Sequence, residues 1–388
     1  MTLGHAMFAG NLDNCLNIED LRQAARRRAH RMVFDYIDGG SDDEKTLKRN
    51  SSAFDDYELL YRVLSGNDTP DMSTTIMGQR LEVPFFLSPA AGNRLFHTDG
   101  EVGPATAAAQ AGTAYCLSTL SSVSIEEIGA LTDGPKWFQL YVWRDRVLVK
   151  EMLDRAKAAG FSALILTVDF PITGNRERDP RNGFTIPPRV GARQIWHALQ
   201  APFWSLDYVT KAPIRYANIS GKTPATTLNA FVAEKLSAAF NWKDAEWLLA
   251  EWGGPAMLKG VVRPDDARLA VETGFRAISL SNHGGRQLDT SPAPLDCVQR
   301  VRDEIGDAVD LVVDGGVRRG TDVLKAIALG ADAVSFARPY LYGLAAAGTP
   351  GAVHAVKLMV EAVRRDMILC GIASPAELNV DFLRKCAQ

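Results

Sequence analysis

With 388 residues the chain is long enough for two or three average domains, or for one large barrel with insertions. Its 46% hydrophobic and 23% charged content is that of a globular protein, and a net charge of -3 offers no basic surface on which nucleic acid would be held. Five cysteines without CxxC spacing argue against a zinc site or a disulfide framework and fit a reducing, cytoplasmic setting; no run of about 18 apolar residues offers a membrane span, and Met1 to Cys15 lacks the pattern of a secretory signal.

From the N-terminus onward, short β-rich apolar runs alternate with helical patterns. The first four predicted strands are Val83–Leu87, Ala114–Leu117, Trp137–Val142 and Ala163–Val168. Four more follow at Ala256–Gly260, Ala277–Leu280, Val309–Asp314 and Asp332–Phe336. Between them lie amphipathic stretches such as Val147–Ala159, stopped by Gly160, and Asp322–Leu329, stopped by Gly330. Eight buried-type strands, mostly roughly 22 to 32 residues apart, predict a (β/α)8 TIM barrel in a single domain spanning residues 1–388. An open doubly wound sheet is disfavoured, because no GxGxxG follows the first strand.

One interval breaks the rhythm. The fourth and fifth strands are about 90 residues apart, roughly 60 more than an ordinary crossover needs, which predicts an insert over 181–241. It carries Pro187-Pro188, the aromatics Trp196, Phe203, Trp204 and Tyr208, and the basic residues Arg189, Arg193, Lys211, Arg215 and Lys222. Such a segment suits a lid, a subunit contact or an interfacial membrane anchor.

In a barrel of this kind chemistry sits at the C-terminal strand ends. Those ends carry Ser88-Pro89-Ala90, Ser118, Gln139 with Tyr141, Thr167 with Asp169, Lys259, His283 with Arg286, Asp314 and Arg338. The run Ser281–Asp289 places a base and a cation three residues apart, and the paired glycines Gly284 and Gly285 allow a sharp turn after the strand. A histidine oriented by a carboxylate can act as a general base, and Asp169 is the best-placed partner for His283. Lys259, ending an apolar strand, needs an anion beside it: a bound group or an Asp or Glu side chain. Asp314–Gly320 followed by Arg338 one strand later combines exposed backbone N–H groups with guanidinium forks, the donor set for a phosphate.

These residues resemble a known family, the FMN-dependent L-2-hydroxy acid dehydrogenases and oxidases, which includes glycolate oxidase, lactate dehydrogenase and mandelate dehydrogenase. The resemblance runs from about Asn17 to Leu383, through Phe34–Gly40, Phe138–Val142, Thr167–Asp169, Arg176–Asp179, Lys259-Gly260, Ser281–Asp289 and Asp314–Gly320. It implies FMN as cofactor and a small 2-hydroxy carboxylate as substrate. It further implies His283 as base polarised by Asp169, Arg176 and Arg286 as the carboxylate clamp, and Tyr36 and Tyr141 as hydrogen-bonding partners of the substrate. Ser118, Gln139, Thr167 and the backbone of Pro89, Ala90 and Ala91 would contact the flavin ring, with Lys259 at its N1 side. Ser281 and Asp314 would face the ribityl chain, and Gly315, Gly316, Arg318 and Arg338 the phosphate.

The chain departs from the family pattern at Ala337, where Gly usually precedes the phosphate-binding arginine, and at Ala90, Gly92 and Leu120, where larger residues are usual. The last three predict a roomier pocket that admits aromatic or long-chain acids beside lactate. Gly174–Asp179, Phe184–Pro188 and Phe240-Asn241-Trp242 are most similar to the mandelate dehydrogenases, which implies an insert bound to the inner face of the membrane and a quinone as electron acceptor, with O2 in a soluble oxidase as the alternative. Relatives are commonly homotetramers.

Overall fold

The computed structural model describes residues 12–184, 191–210, 216–219 and 236–386. Eight parallel strands close into a barrel: β1 (Phe85–Leu87), β2 (Tyr115–Ser118), β3 (Lys136–Tyr141), β4 (Ala163–Thr167), β5 (Ala256–Val261), β6 (Ala277–Ser281), β7 (Asp310–Asp314) and β8 (Ala333–Phe336). Each pairs with its neighbours in chain order and β8 returns to β1, so the sheet has no edge. All eight fall within two residues of the predicted runs. The helices end as the sequence directs. Asp145 accepts from the N–H groups of Val147 and Leu148 to open Arg146–Ala158, which buries Leu148, Val149, Met152, Leu153 and Ala156 and stops before Gly160 at φ +77°.

Side chains alternate across a strand, so one set of positions points into the barrel. Phe86, Cys116, Trp137, Ile165, Met257, Ala277, Val312 and Ala333 form a dry inner plug, and Ile76 and Leu81 of a small antiparallel pair seal its floor. Two residues further along each strand the inward position becomes polar: Ser88, Ser118, Gln139, Thr167, Lys259, Ser279, Asp314 and Ser335. The alternate set, including Phe138, Leu164, Leu166, Leu258, Ile278, Leu311 and Val334, faces the surrounding helices. The barrel is thus apolar at its lower end and polar at its mouth, a gradient set by strand register.

Before the barrel lie helices α1 (Ile18–Arg28) and α2 (Arg31–Asp38), packed on the helix after β8, and α3 (Lys45–Ser52); α2 and α3 reach the barrel mouth through Tyr36 and Asn50. The insert contributes α4 (Ala192–Gln200) and α5 (Pro202–Thr210) and a short segment at 216–219. Pro187-Pro188, Arg189, Lys211, Arg215 and Lys222, the side chain of Arg193, and Met1 to Asn11 lie outside the described residues. Among the described residues no helix is long and apolar enough to cross a membrane.

Candidate active site

A cavity of about 400 Å³ opens at the polar mouth, within the size range of cofactor and substrate pockets. Its lining includes a glycine and arginine group, Gly315, Gly316, Arg318 and Arg338; the strand-end residues Pro89, Ala90, Ala91, Gln139, Thr167, Lys259 and Asp314; and Tyr36, Tyr141, Arg176, His283 and Arg286. Three further predicted residues stand one bond behind that wall: Ser118 on Gln139, Asp169 on His283, and Ser281 on Lys259.

His283 sits in a loop where three successive residues, His283, Gly284 and Gly285, adopt φ of +59°, +67° and +74°. A left-handed backbone costs a β-carbon-bearing residue free energy, and the surrounding bonds hold it there. The His283 N–H donates to Ser281 Oγ at 3.0 Å, and the Gly285 N–H to Asn282 Oδ1 at 3.0 Å. Asn282 forms a buried reciprocal amide pair with Asn50 of α3, at 2.8 and 2.7 Å. The ring's Nδ1 lies 2.8 Å from Asp169 Oδ1, and the imidazole stacks on Phe170 at 5.3 Å. Gly260 makes room for that carboxylate, since a β-carbon there would stand 2.6 Å from Asp169 Cγ. Burial depresses the imidazole pKa, opposed by Asp169 and reinforced by the charges of Lys259 and Arg176. The ring is therefore neutral near pH 7, with Nδ1–H toward Asp169 and the Nε2 lone pair available as a proton acceptor.

Arg176 and Arg286 converge from two loops. Arg176 Nε donates to the carbonyl of Arg286 at 3.2 Å, and Gln287 ties the loops together through Gly174 N at 3.0 Å and the carbonyls of Asp169 and Ile172 at 3.0 and 2.8 Å. Burial, with Arg286 beside it, lowers the Arg176 pKa; Asp179 lines the same cavity near both cations but forms no ion pair with either among the described residues, so the two guanidiniums suit a further anion. The Arg286 guanidinium lies 4.7 Å over the Tyr36 ring, which itself stacks on Phe184 at 4.5 Å. The Tyr141 phenol is pushed up by burial and by neighbouring Tyr36, so it remains a hydrogen-bond donor.

In the middle, Ser118 Oγ donates to Gln139 Oε1 at 3.1 Å and Gln139 Nε2 to Thr167 Oγ1 at 2.9 Å, a polar chain across β2, β3 and β4. Of the two partners expected for Lys259, the structure contains the carboxylate: Lys259 Nζ bonds Asp314 Oδ2 and donates to Ser281 Oγ at 2.9 Å. Asp314 also accepts from Ser281 and Ser335, at 2.8 and 2.9 Å, and from Ser88. The pair holds the lysine charged and the aspartate ionised against burial. Register places Asp314 between Ser281 of β6 and Ser335 of β8.

Arg338 is half-buried, its donors reaching the carbonyls of Ile37, Gly284 and Gly39 at 3.0, 2.9 and 2.9 Å, and Arg286 shares the Gly39 carbonyl at 3.1 Å. It forms no ion pair among the described residues, and burial draws its guanidinium down to about 10, with Arg286 and Arg318 contributing. A cation without an ion pair next to Arg318 and the glycine turn has the chemistry to hold a phosphate. Gly315 and Gly316, at φ +126° and +85°, adopt backbone that other residues rarely do; a β-carbon on Gly316 would strike Asn50 O at 1.9 Å.

The expectation of a roomier pocket is corrected at Gly92. A β-carbon there would lie 3.6 Å from Tyr216 Cε1, so an insert residue occupies the space the small residue leaves. Tyr216, Phe170, Asn50 and Ser335 were outside the sequence reading. Only Ser335 had a signal, as the inward position two residues after Ala333.

Residues 25–385 match the model of a family described as FMN-dependent dehydrogenase. The chain is 39% identical to the L-lactate dehydrogenase of Caulobacter vibrioides, covering 94% of this chain and 96% of the relative. It is 38% identical to the L-lactate oxidase of a Nostoc species, covering 95% and 98%. Among solved structures, a monotopic membrane protein, (S)-mandelate dehydrogenase, superposes with a TM-score of 0.92 at 33% identity, covering 96% of this chain and 99% of that one.

Proposed function

Because the chain belongs to the FMN-dependent dehydrogenase family and is an FMN-dependent 2-hydroxy acid dehydrogenase, we propose that His283 is its base and that its electrons pass to a membrane quinone. The observation that carries the first part is the imidazole held by Asp169 at 2.8 Å in the same cavity as the guanidiniums of Arg176 and Arg286.

FMN, when bound, supplies the two-electron acceptor. The residues lining the cavity fit it. Arg338, Arg318 and the N–H groups of Gly315 and Gly316 would hold the phosphate, and Asp314 and Ser281 the ribityl hydroxyls. Ser118, Gln139, Thr167 and the backbone of Pro89, Ala90 and Ala91 would border the ring, with Lys259 setting positive charge beside it. Arg176 and Arg286 clamp the substrate carboxylate, a match of planar fork to planar anion, and Tyr36 and Tyr141 donate to its oxygens. So oriented, the 2-hydroxy acid loses two protons and two electrons to give the 2-oxo acid. His283 Nε2 receives one of those protons, from Cα or from the hydroxyl, and Asp169 stabilises the imidazolium formed.

Support for the quinone comes from α4 and α5, whose outer faces expose Ile195, Trp196, Leu199, Leu206 and Val209. Their inner faces are tied down by Trp204 Nε1 to Leu95 O at 2.8 Å, Arg28 to Asp207 at 3.1 Å, and His30 to Gln194 O at 3.2 Å. Apolar groups presented outward on anchored helices suit an interfacial membrane contact on the cytoplasmic face.

Anaerobic mixing with lactate, glycolate and mandelate tests the base. Wild type is expected to lose its flavin colour, while His283→Gln keeps its FMN and reduces it slower by on the order of 10³-fold or more. A near-normal rate in His283→Gln removes the assignment. Since the base must be neutral and burial depresses its pKa, the acid limb of kcat/KM should lie below the ordinary imidazole value of about 6.5.

A further inference from the structure

We propose that Tyr216, contributed by the insert, is a specificity-determining residue that contacts the substrate's 2-substituent and limits its length. The inference rests on the functional reading above and adds to it the wall that reading leaves unassigned. In a 2-hydroxy acid, C2 carries a carboxylate, a hydroxyl, a hydrogen and one variable group. With the carboxylate on Arg176 and Arg286 and the hydroxyl near His283 and the tyrosines, the variable group points to the remaining lining. That lining includes Leu120, Phe96, Phe170, Phe184 and, from the insert, Tyr216.

Tyr216 is firmly placed. The following N–H, of Ala217, donates to Ser121 O at 2.9 Å, and Asn218 Nδ2 to Ser121 Oγ at 2.8 Å. Asn218 Oδ1 accepts from Ile125 N at 2.9 Å, its carbonyl accepts from Arg155 at 3.2 Å, and Ile219 is buried. These bonds staple the insert to the loop after β2, which also carries Leu120 and reaches Gly92 through Gly92 N to Leu120 O at 2.9 Å. The ring is 6% exposed and fills the space over Gly92. Its phenol makes no hydrogen bond with the described residues, and burial beside Tyr36 and Tyr141 keeps it protonated. A rigid ring in a pocket excludes the larger substrate sterically, and pocket discrimination of this kind is about 10-fold or more.

The experiment compares kcat/KM for L-lactate and L-3-phenyllactate in wild type, Tyr216→Ala, Tyr216→Leu and Tyr216→Phe holoenzymes. The ratio should move at least about 10-fold toward phenyllactate in Tyr216→Ala, less in Tyr216→Leu, and return to the wild-type value in Tyr216→Phe, which keeps the ring. Calorimetric binding of pyruvate and phenylpyruvate gives the same comparison without turnover, and should show the same order. A ratio within twofold of wild type in both Tyr216→Ala and Tyr216→Leu overturns the proposal; should Tyr216→Ala not fold, Tyr216→Leu alone decides it. If wild type oxidises no 2-hydroxy acid, the functional reading fails separately, and the two 2-oxo acid affinities still judge Tyr216.

Discussion

Two surfaces bound the same cavity, and they are built by opposite means. The barrel side is a continuous polar network: Ser118, Gln139 and Thr167 in one chain, Lys259, Asp314 and three serines in another, His283 and Asp169 in a third. The strand residues are placed by register, and His283 and Asp169 by the loops that follow β6 and β4, so moving one residue displaces several partners. Among its described residues the insert side is held chiefly by Trp204 on Leu95, Asp207 on Arg28 of α1, Ser237 on Val142, and the staple from Ala217 to Ile219. In our proposal, the chemistry sits on the network. Substrate range and electron acceptor, in our proposal, sit on a segment that can change without disturbing it.

The sharpest way to break this contrast is to cut one bond of the network. Asp169→Asn should lower kcat by on the order of 10³ to 10⁴, because an amide can donate to Nδ1 and leave the proton on Nε2, the wrong tautomer for a base. It also removes the group that opposes burial, so the His283 pKa should fall further and the acid limb of kcat/KM move to lower pH. FMN content should be unchanged, since Asp169 lies outside the phosphate end. Stopped-flow flavin reduction across pH measures both; a loss below tenfold would place the base elsewhere.

On the other surface, Trp196→Asp with Leu199→Asp should leave anaerobic flavin reduction near wild type and abolish retention on anionic lipid vesicles. Burying each of these side chains is worth roughly 1.5 to 3 kcal/mol, so the pair should lower partitioning by at least about 100-fold. Co-sedimentation reads it. A wild-type protein that stays wholly in the supernatant at low salt and produces peroxide rapidly would replace the quinone with O2.

How far each surface could be read from sequence follows from how it is made. Strand positions and their polar mouth were legible because period-two alternation and C-terminal strand ends are local: Gln139 after Trp137, Lys259 after Met257 and Asp314 after Val312 announce themselves. His283 and Asp169 came together as expected, although 114 residues separate them, because both follow barrel strands. Tyr216 carries no such mark. Its place depends on bonds from Asn218 to Ser121 and Ile125, more than 90 residues away, and on the missing side chain at Gly92. The small residues at 90, 92 and 120 signalled space; they could not signal that another segment fills it.

Asn50 lies between these cases, and yields the smallest expected effect. It belongs to neither surface's chemistry, yet its amide pairs with Asn282, whose other bonds to Gly285 N and Pro292 O shape the loop that holds His283 left-handed. Asn50→Ala leaves half of a buried amide unpaired, costing about 1 to 3 kcal/mol of stability. Because Ser281 and Asp169 still hold the histidine, kcat should fall only severalfold, with KM for the acid and the position of the acid limb unchanged. Denaturant unfolding of the holoenzyme and steady-state kinetics give the two numbers. If stability drops while kcat stays at the wild-type value, the left-handed turn is maintained by Ser281 and Asp169 alone, and the network that positions the base ends one residue short of α3.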